Sequence, residues 1–220
     1  MFKKVISMLI VLCMVLAWLP TDVYAVERGH CGPTVEWTLD NNGVLQIFGS
    51  GAMSPFQEYT APWRSIRGSI KKVIVNSGVT SISQYAFIDC HYITSVKLPN
   101  SVKTIDEYAF KNCYRLEEFN FPSGLTKIGE RALSDTSITR AEIPAGITTV
   151  NESAFYSCDK LTTVSFQGPI TNIGDFAFAG CIALSDISFS GGLSGEIGES
   201  AFNGCKSLES FTIPEGVTHI

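Results

Sequence analysis

From residue 70 onward, the hydrophobic residues of the chain recur in one pattern. Its copies begin at Ile70, Ile93, Leu116, Ile138, Leu161, Leu184 and Leu208. Successive starts are 23, 23, 22, 23, 23 and 24 residues apart. A fixed period of about 20–29 residues is typical of a leucine-rich solenoid. Because one repeat cannot bury its own apolar face, neighbouring repeats must stack around a continuous core.

Each copy begins with a short alternation of apolar and polar residues. In the second copy, Val96 and Leu98 share one face of an extended chain, while Ser95 and Lys97 share the other. Proline has no N–H to donate, so it suits the end of a strand. It follows this segment in four copies, at Pro99, Pro122, Pro144 and Pro214. The alternation predicts one short parallel strand per repeat.

The second part of each copy carries another apolar pair, such as Val102 and Ile105, and then an Ala-Phe pair. We expect helical turns here, on the side opposite the first strand. The predicted fold is a β-rich, right-handed leucine-rich repeat solenoid with short helical turns or second strands on its outer side. It comprises about six and a half repeats of 22–24 residues over residues 70–220.

The recurrent pattern Ile-Gly-x-x-Ala-Phe-x-x-Cys-x-x-Leu-x-x-Val-x-Ile-Pro resembles the leucine-rich repeats of BspA-type bacterial surface antigens. The resemblance covers residues 70–220 at six or seven registered positions. It implies a secreted or cell-surface protein that adheres to host or microbial proteins, or to matrix.

Residues 26–69 depart from the period and predict a separate N-terminal module. Two alternating segments, 34–39 and 44–48, flank the turn sequence Asp40-Asn41-Asn42-Gly43, which predicts a β-hairpin. The first turn of a solenoid needs a cap, and Trp37, Phe48, Met53 and Trp63 are candidate anchors for it. A binding role for the two tryptophans is the alternative. The stretch between them is similar to the amino-terminal module of secreted members of the same family, which implies a cap.

Residues 1–25 predict a secretory signal peptide. Lys3 and Lys4 precede an apolar run over residues 5–19, and small residues favour cleavage after Ala25. An uncleaved anchor is the alternative, but about 15 apolar residues are fewer than the roughly 20 that span a bilayer. No later segment of the sequence is apolar enough to span a membrane, so we expect a secreted or cell-surface protein.

The charge of the chain excludes two classes of partner. The full sequence has a net charge of −5. Removal of residues 1–25 leaves 14 basic and 20 acidic residues, a net charge of −6. A nucleic-acid-binding protein needs a basic surface, and so does electrostatic docking on anionic lipid.

Six cysteines follow the predicted cleavage site, and five hold one repeat position: Cys90, Cys113, Cys158, Cys181 and Cys205. Stacked equivalents have nearly parallel Cβ bonds, which does not suit a disulfide. We therefore predict a structural ladder of buried free thiols, with a disulfide framework as the alternative. Cys31 lies outside the ladder, and we expect it to be exposed. Thr136 takes the ladder position of a copy that is one residue shorter, which predicts a variant turn.

The sequence carries no motif of catalysis or cofactor binding. There is no Cys-x-x-Cys pair or His at ligand spacing for zinc, no Gly-x-Ser-x-Gly elbow and no phosphate-binding loop. We therefore expect no metal, no cofactor and no enzymatic activity.

The outward side chains of the predicted strands form the candidate ligand face, since concave solenoid faces are extended binding surfaces. Besides Ile74, its members are Lys72, Ser95, Lys97, Glu118, Asn120, Arg140, Glu142, Thr163, Ser165, Asp186, Ser188, Ser210 and Thr212. The alternative is that they only keep the face hydrated, because the face lacks the aromatic anchors of binding hot spots.

These observations together favour a non-catalytic protein-binding or adhesion module with a protein or matrix ligand on its concave face. One alternative is a spacer that presents a further C-terminal domain. Another is an enzyme whose catalytic domain lies beyond residue 220. The pattern stops in mid-repeat at Ile220, which predicts a truncated solenoid and self-association through an uncapped end.

Overall fold

The computed structural model describes residues 25–220, so the predicted signal peptide lies outside the described residues except for Ala25. This part contains one 3-10 helix, Arg64–Ser69, and 17 strands. The strands are β1 (Ala25–His30), β2 (Val35–Asp40), β3 (Val44–Gly49), β4 (Gly51–Ala52), β5 (Lys72–Val75), β6 (Val79–Ile82), β7 (Ser95–Lys97), β8 (Thr104–Ile105), β9 (Glu118–Phe119), β10 (Lys127–Ile128), β11 (Arg140–Ile143), β12 (Thr149–Val150), β13 (Thr163–Phe166), β14 (Ile170–Ile173), β15 (Asp186–Phe189), β16 (Leu193–Ile197) and β17 (Gly216–His219).

Most turns of the solenoid contribute one strand to each of two sheet surfaces. The first surface holds β3, β5, β7 and β9, and then β11, β13 and β15. The second holds β4, β6, β8 and β10, and then β12, β14, β16 and β17. Pairing between turns is parallel, with Lys72 beside Ser95 and Ser95 beside Glu118. Register shifts occur in the pairs β4–β6, β14–β16 and β16–β17. The predicted parallel solenoid is confirmed, with second strands at the second apolar pairs.

Both sheet surfaces are interrupted at the same junction, which we call the seam. On the first surface β9 does not pair with β11, and on the second β10 does not pair with β12. Hydrogen bonds still cross the seam on the third side, where Leu133 N–H donates to Ala154 O at 3.0 Å. The Asn151 side-chain amide also donates to Ile128 O. The described solenoid therefore consists of two β blocks joined mainly through their turns.

The Ala-Phe segments form the third side of each turn as hydrogen-bonded turns rather than helices. The N–H groups of Tyr85, Phe87 and Asp89 donate to carbonyls of the next turn at 2.7–3.1 Å. Tyr85 and Asp89 have φ of +55° and +58°, in the left-handed region that cannot continue a right-handed helix. The same two positions are left-handed in the following turns, from Tyr108 and Asn112 to Ser200 and Gly204.

A column of stacked aromatic rings runs through the core. Phe87 stacks on Phe110 with ring centroids 5.0 Å apart, and Phe155 stacks on Phe178 at 5.2 Å. Leu133 interrupts the column between these pairs and is fully buried. Phe119 and Phe121 pack beside this break in the column, and the ring centroids of Phe121 and Phe155 are 6.2 Å apart. The column therefore changes its packing where the sheets are interrupted.

The predicted N-terminal hairpin is present and is joined to the solenoid. Strands β2 and β3 pair antiparallel, and β3 then pairs parallel with β5. Trp63 takes the first place in the aromatic column, stacked on Phe87 at 5.1 Å, and its Nε1–H donates to Ala86 O at 2.6 Å. Trp37 packs edge-on against Trp63 at 5.8 Å. Both tryptophans and Met53 are buried, as cap anchors should be, whereas Phe48 is only partly buried.

We expect Trp63 to hold the cap to the first repeat. Trp63→Ala should lower the free energy of unfolding by about 3–5 kcal/mol, because it removes a fully buried ring. Trp63→Phe keeps a ring but leaves Ala86 O without its donor, which costs about 1–3 kcal/mol. Chemical denaturation measures both changes. Tyr156→Ala, at a ring that is 38% exposed, is the control and should stay within about 0.5 kcal/mol. Equal stability of Trp63→Ala and this control would contradict the anchoring role.

Candidate binding face and cysteine ladder

The predicted ligand residues from Lys72 to Ser188 lie on the outward side of the first sheet surface, which we call the strand face. The alternating residues Val73, Val96 and Val164 are buried beneath it. Parallel pairing aligns the outward residues in rows, with Arg140 beside Thr163 and Thr163 beside Asp186. The structure brings these residues together, and their binding role remains a prediction.

Ser210 and Thr212 are the exceptions, because they lie outside any strand. The prediction of a paired first strand in the copy that begins at Leu208 is wrong. Leu208 and Phe211 are only half-buried, and Ile213 is 47% exposed. This segment therefore buries less apolar surface against β15 than the earlier strands bury against their neighbours.

The charged groups of the strand face have no ion-pair partners within the described residues. Salt bridges there involve none of Lys72, Lys97, Glu118, Arg140 and Glu142.

On the second sheet surface, in contrast, Lys127 forms ion pairs with the preceding turn. Lys127 Nζ on β10 lies 2.7 Å from Glu107 Oε1 and 3.4 Å from Asp106 Oδ1. The hydrogen bond between Lys127 and Glu107 raises the pKa of the Lys127 ammonium and lowers the pKa of the Glu107 carboxyl. The five strand-face charges therefore lack the kind of ion pairing that Lys127 has, and they remain available to a partner.

A depression of about 700 Å³ lies on the strand face where β9 ends. The Asn120 side chain takes the place of a paired backbone there: its Oδ1 accepts from Leu98 N–H at 2.7 Å, and its Nδ2 donates to Leu98 O at 2.8 Å. These bonds tie Asn120 to the preceding turn, and β9 ends one residue before it, at Phe119. Lys97, Glu118 and Arg140 surround the depression, and Phe119 contributes an apolar part of its wall.

The five ladder cysteines occupy equivalent places, all with free thiols. Four thiols donate to a main-chain carbonyl of the preceding turn: Cys113 to Phe87 O at 3.2 Å, Cys158 to Leu133 O at 3.1 Å, Cys181 to Phe155 O at 3.1 Å and Cys205 to Phe178 O at 3.2 Å. In the shortened copy, Thr136 Oγ1 donates to Leu133 O at 2.9 Å. The ladder residues therefore satisfy buried carbonyls of the aromatic column.

The repeat geometry has known counterparts. Residues 66–162 and 135–220 match the family described as "BspA type Leucine rich repeat region", with six copies of the repeat. The chain belongs to the BspA-type leucine-rich repeat family. The T. pallidum leucine-rich repeat protein TpLRR is similar in fold, with 23% identity over 79% of this chain and 87% of that chain and a TM-score of 0.59. A leucine-rich repeat protein from Eubacterium ventriosum is 19% identical over 87% of this chain and 92% of that chain, with a TM-score of 0.45. A search of curated proteins found no match.

Burial makes the thiols of this BspA-type repeat protein poor nucleophiles. It raises the pKa of Cys90 to about 12 and that of Cys205 to about 11. The neighbouring Cys158 thiol, followed by burial, raises the pKa of Cys181. Because the thiolate is the reactive form, these cysteines are chemically protected in the folded state.

The prediction that Cys31 is exposed is wrong. Cys31 is only 2% exposed, and burial raises its pKa to about 12. The hairpin folds over it: its N–H donates to Val35 O at 2.9 Å, and its carbonyl accepts from Ser54 N–H at 2.8 Å. A lone cysteine outside the repeat gave no periodic signal of this burial.

The part of the chain that the structure describes contains neither a metal-binding cluster nor a membrane-spanning helix. Residues 25–220 contain no group of three or more His, Cys, Asp or Glu side chains placed to hold a metal ion. No helix within the same range is long and apolar enough to cross a membrane.

Sequence reasoning missed a second polar surface, the turn edge, formed by the exposed residues directly after the ladder position of each turn. His91 and Tyr114 pack with ring centroids 5.0 Å apart, and the Arg115 guanidinium lies 5.0 Å from the Tyr92 ring centre. Tyr92 and Tyr114 are about half exposed. The sequence signal for this surface was the large aromatic residues that follow the ladder cysteines, because tyrosine and arginine are typical of binding hot spots.

We expect native and unfolded protein to differ sharply in thiol reactivity. With a pKa of about 11, Cys205 is only about one part in a thousand thiolate at pH 8, and the deeper thiols should react still more slowly. A colorimetric thiol reagent should therefore label Cys205 first and slowly in native protein. In denaturant without reductant it should label six thiols in the chain from residue 26 onward. Cys205→Ser is the control, which should remove the first native phase. Fewer than six thiols before reduction would reveal a disulfide and contradict the ladder.

Proposed function

We propose that this chain is a non-catalytic protein-binding module that acts outside the cell or on its surface, as an adhesive contact with a protein or matrix ligand. The observation that carries the proposal is the set of unpaired charges on the strand face, around the depression at the seam. Membership of the BspA-type repeat family supports the same class of function.

The charge pattern of the strand face suits electrostatic recognition. Lys72 and Lys97 are basic, while Glu118, Arg140 and Glu142 bring both signs together near the seam. Charges that keep their hydration in the free protein steer a complementary partner and fix its register. Phe119 and Ile74 add apolar contact within the depression. A protein surface of mixed charge with apolar side chains therefore fits this face best.

The predicted signal peptide supports the extracellular setting, and the acidic net charge bears on the class of partner. An exported chain meets proteins and matrix rather than nucleic acid, and a net charge of −5 does not attract nucleic acid or anionic lipid. The free thiols are buried, except for the partly buried Cys205, and none of them belongs to the strand face.

Charge reversal tests the strand face. A variant with Lys97→Glu, Glu118→Lys, Arg140→Glu and Glu142→Lys keeps the net charge but inverts the pattern. We expect wild-type protein to be retained on at least one of immobilised collagen, fibronectin and laminin, and on intact host cells. The reversed variant should bind at least about tenfold more weakly, a loss of about 1.4 kcal/mol.

The matched control reverses four exposed charges away from the strand face: Lys103→Glu, Lys206→Glu, Glu199→Lys and Glu215→Lys. It should bind as the wild type does. Binding should also weaken with added salt, because the proposed contacts are solvent-exposed charges. Undiminished binding by the folded strand-face variant would contradict the proposal. So would the absence of wild-type binding to every surface, which would favour a spacer.

A further inference from the structure

The shortened turn leaves a gap in the turn edge. In the preceding turn, Tyr114 and Arg115 separate the ladder residue from the next apolar residue. In the shortened turn only Ser137 stands between Thr136 and Ile138. Ser137 is buried, and its Oγ donates to Tyr114 O at 2.7 Å. Its side chain therefore satisfies the backbone beneath Tyr114 and presents nothing to the surface beside the ring.

A cleft of about 490 Å³ occupies this gap. Tyr114 borders it from the turn before, Asp135 and Ser137 line it within the shortened turn, and Asp159 and Lys160 border it from the turn after. His91 packs on the far side of the Tyr114 ring, with centroids 5.0 Å apart. Ser137 holds the position equivalent to Tyr114 in the shortened turn, but it is small and its hydroxyl is directed to the backbone, so Tyr114 borders the cleft.

The carboxylates of the cleft have no cationic partner within the described residues. Lys160 Nζ reaches across the gap to Glu117 Oε1 at 3.2 Å, and neither Asp135 nor Asp159 forms a salt bridge. Ser134 Oγ donates to Asp135 Oδ2, which leaves the charge of that carboxylate uncompensated. Burial, followed by the negative charge of Asp135, raises the pKa of the Tyr114 phenol. An exposed aromatic ring beside two free carboxylates is therefore a cation-attracting arrangement.

The chain itself shows which cation fits such an arrangement. Asp89 occupies the position equivalent to Asp135, directly before the ladder residue, and the two have φ of +58° and +59°. The Arg64 guanidinium approaches Asp89 to 3.6 Å and lies 4.1 Å from the centre of the Tyr59 ring. The cap thus supplies an arginine to the first Asp–Tyr pair, while no described residue supplies one to Asp135 and Tyr114.

We propose that the cleft beside Tyr114 binds an arginine side chain presented by a partner protein. The planar guanidinium stacks on the open side of the Tyr114 ring and pairs with Asp135 and Asp159. Arginine fits better than lysine because its guanidinium both stacks on aromatic rings and forms forked hydrogen bonds to carboxylates. The site lies on the turn edge and uses no residue of the strand face, so it does not depend on the function proposed for that face.

A matched pair of short peptides tests the proposal directly. Acetyl-Gly-Arg-Gly-amide is titrated into the purified protein and followed by amide chemical shifts of Tyr114, Asp135 and Ser137. The control peptide carries citrulline, which has nearly the same shape as arginine but no charge. We expect saturable shifts localised to the cleft, with binding of the arginine peptide at least about tenfold tighter than that of the citrulline peptide. Added salt should weaken the arginine complex.

Conservative variants separate the cleft from general electrostatics. Asp135→Asn and Asp159→Asn keep the side-chain shape, and Asn tolerates the left-handed backbone at position 135. Each should weaken binding of the arginine peptide several-fold, and the double variant at least about tenfold. Tyr114→Leu should also weaken it, through loss of the ring face. Glu142→Gln on the strand face removes the same charge and should leave binding unchanged.

Three results would overturn the proposal. The first is equal binding of the arginine and citrulline peptides. The second is unchanged arginine binding in the folded Asp135→Asn, Asp159→Asn double variant. The third is no saturable shift up to about 10 mM peptide. A neutral oligosaccharide that binds the cleft when the arginine peptide does not would assign it to a sugar instead. None of these results depends on capture of matrix proteins by the strand face.

Discussion

Hydrogen bonding between consecutive turns is the constraint on which the rest of this structure depends. On the two sheet surfaces the bonds are ordinary parallel pairing, as between Lys72 and Ser95. On the third side they require main-chain N–H groups that point along the solenoid axis, and left-handed residues such as Tyr85 and Asp89 provide that direction. With all three sides bonded, each turn presents its apolar side chains to a shared core and stacks equivalent residues in columns.

This stacking divides the polar groups of the chain between internal and external roles. The ladder thiols bond to carbonyls of the aromatic column, and Asn120 and Asn151 replace missing backbone pairs near the seam. Polar groups that the stack does not use remain on the strand face and the turn edge. The candidate binding chemistry of this protein therefore lies where the repeat has no structural need for a polar residue.

Much of the fold could be predicted from the sequence because period and alternation report burial directly. Val96 and Leu98 predict a strand with one buried face. The Ala-Phe pairs were expected to form helical turns, but they form hydrogen-bonded turns instead, because inter-turn bonding requires left-handed residues there. The left-handed positions were harder to predict: Asn112 and Gly180 favour that conformation, but Tyr85 and Phe176 do not, and inter-turn bonding imposes it on them. Burial of Cys31 and the cleft beside Tyr114 depend on contacts between separate segments. The shortened copy could be recognised in the sequence, but the cleft beside it could not be predicted.

The seam has a consequence for how the protein loses its structure. In a linear stack each turn is stabilised mainly by its two neighbours, so unfolding advances turn by turn and pauses where coupling between neighbours changes. Strand pairing is absent from both sheet surfaces between β9–β10 and β11–β12, while the core and the third-side hydrogen bonds continue across that junction. We therefore expect the coupling between neighbouring turns to be weakest at the seam. A molecule that bridges Tyr114 and Asp159 would touch both blocks at once and would strengthen the coupling between them.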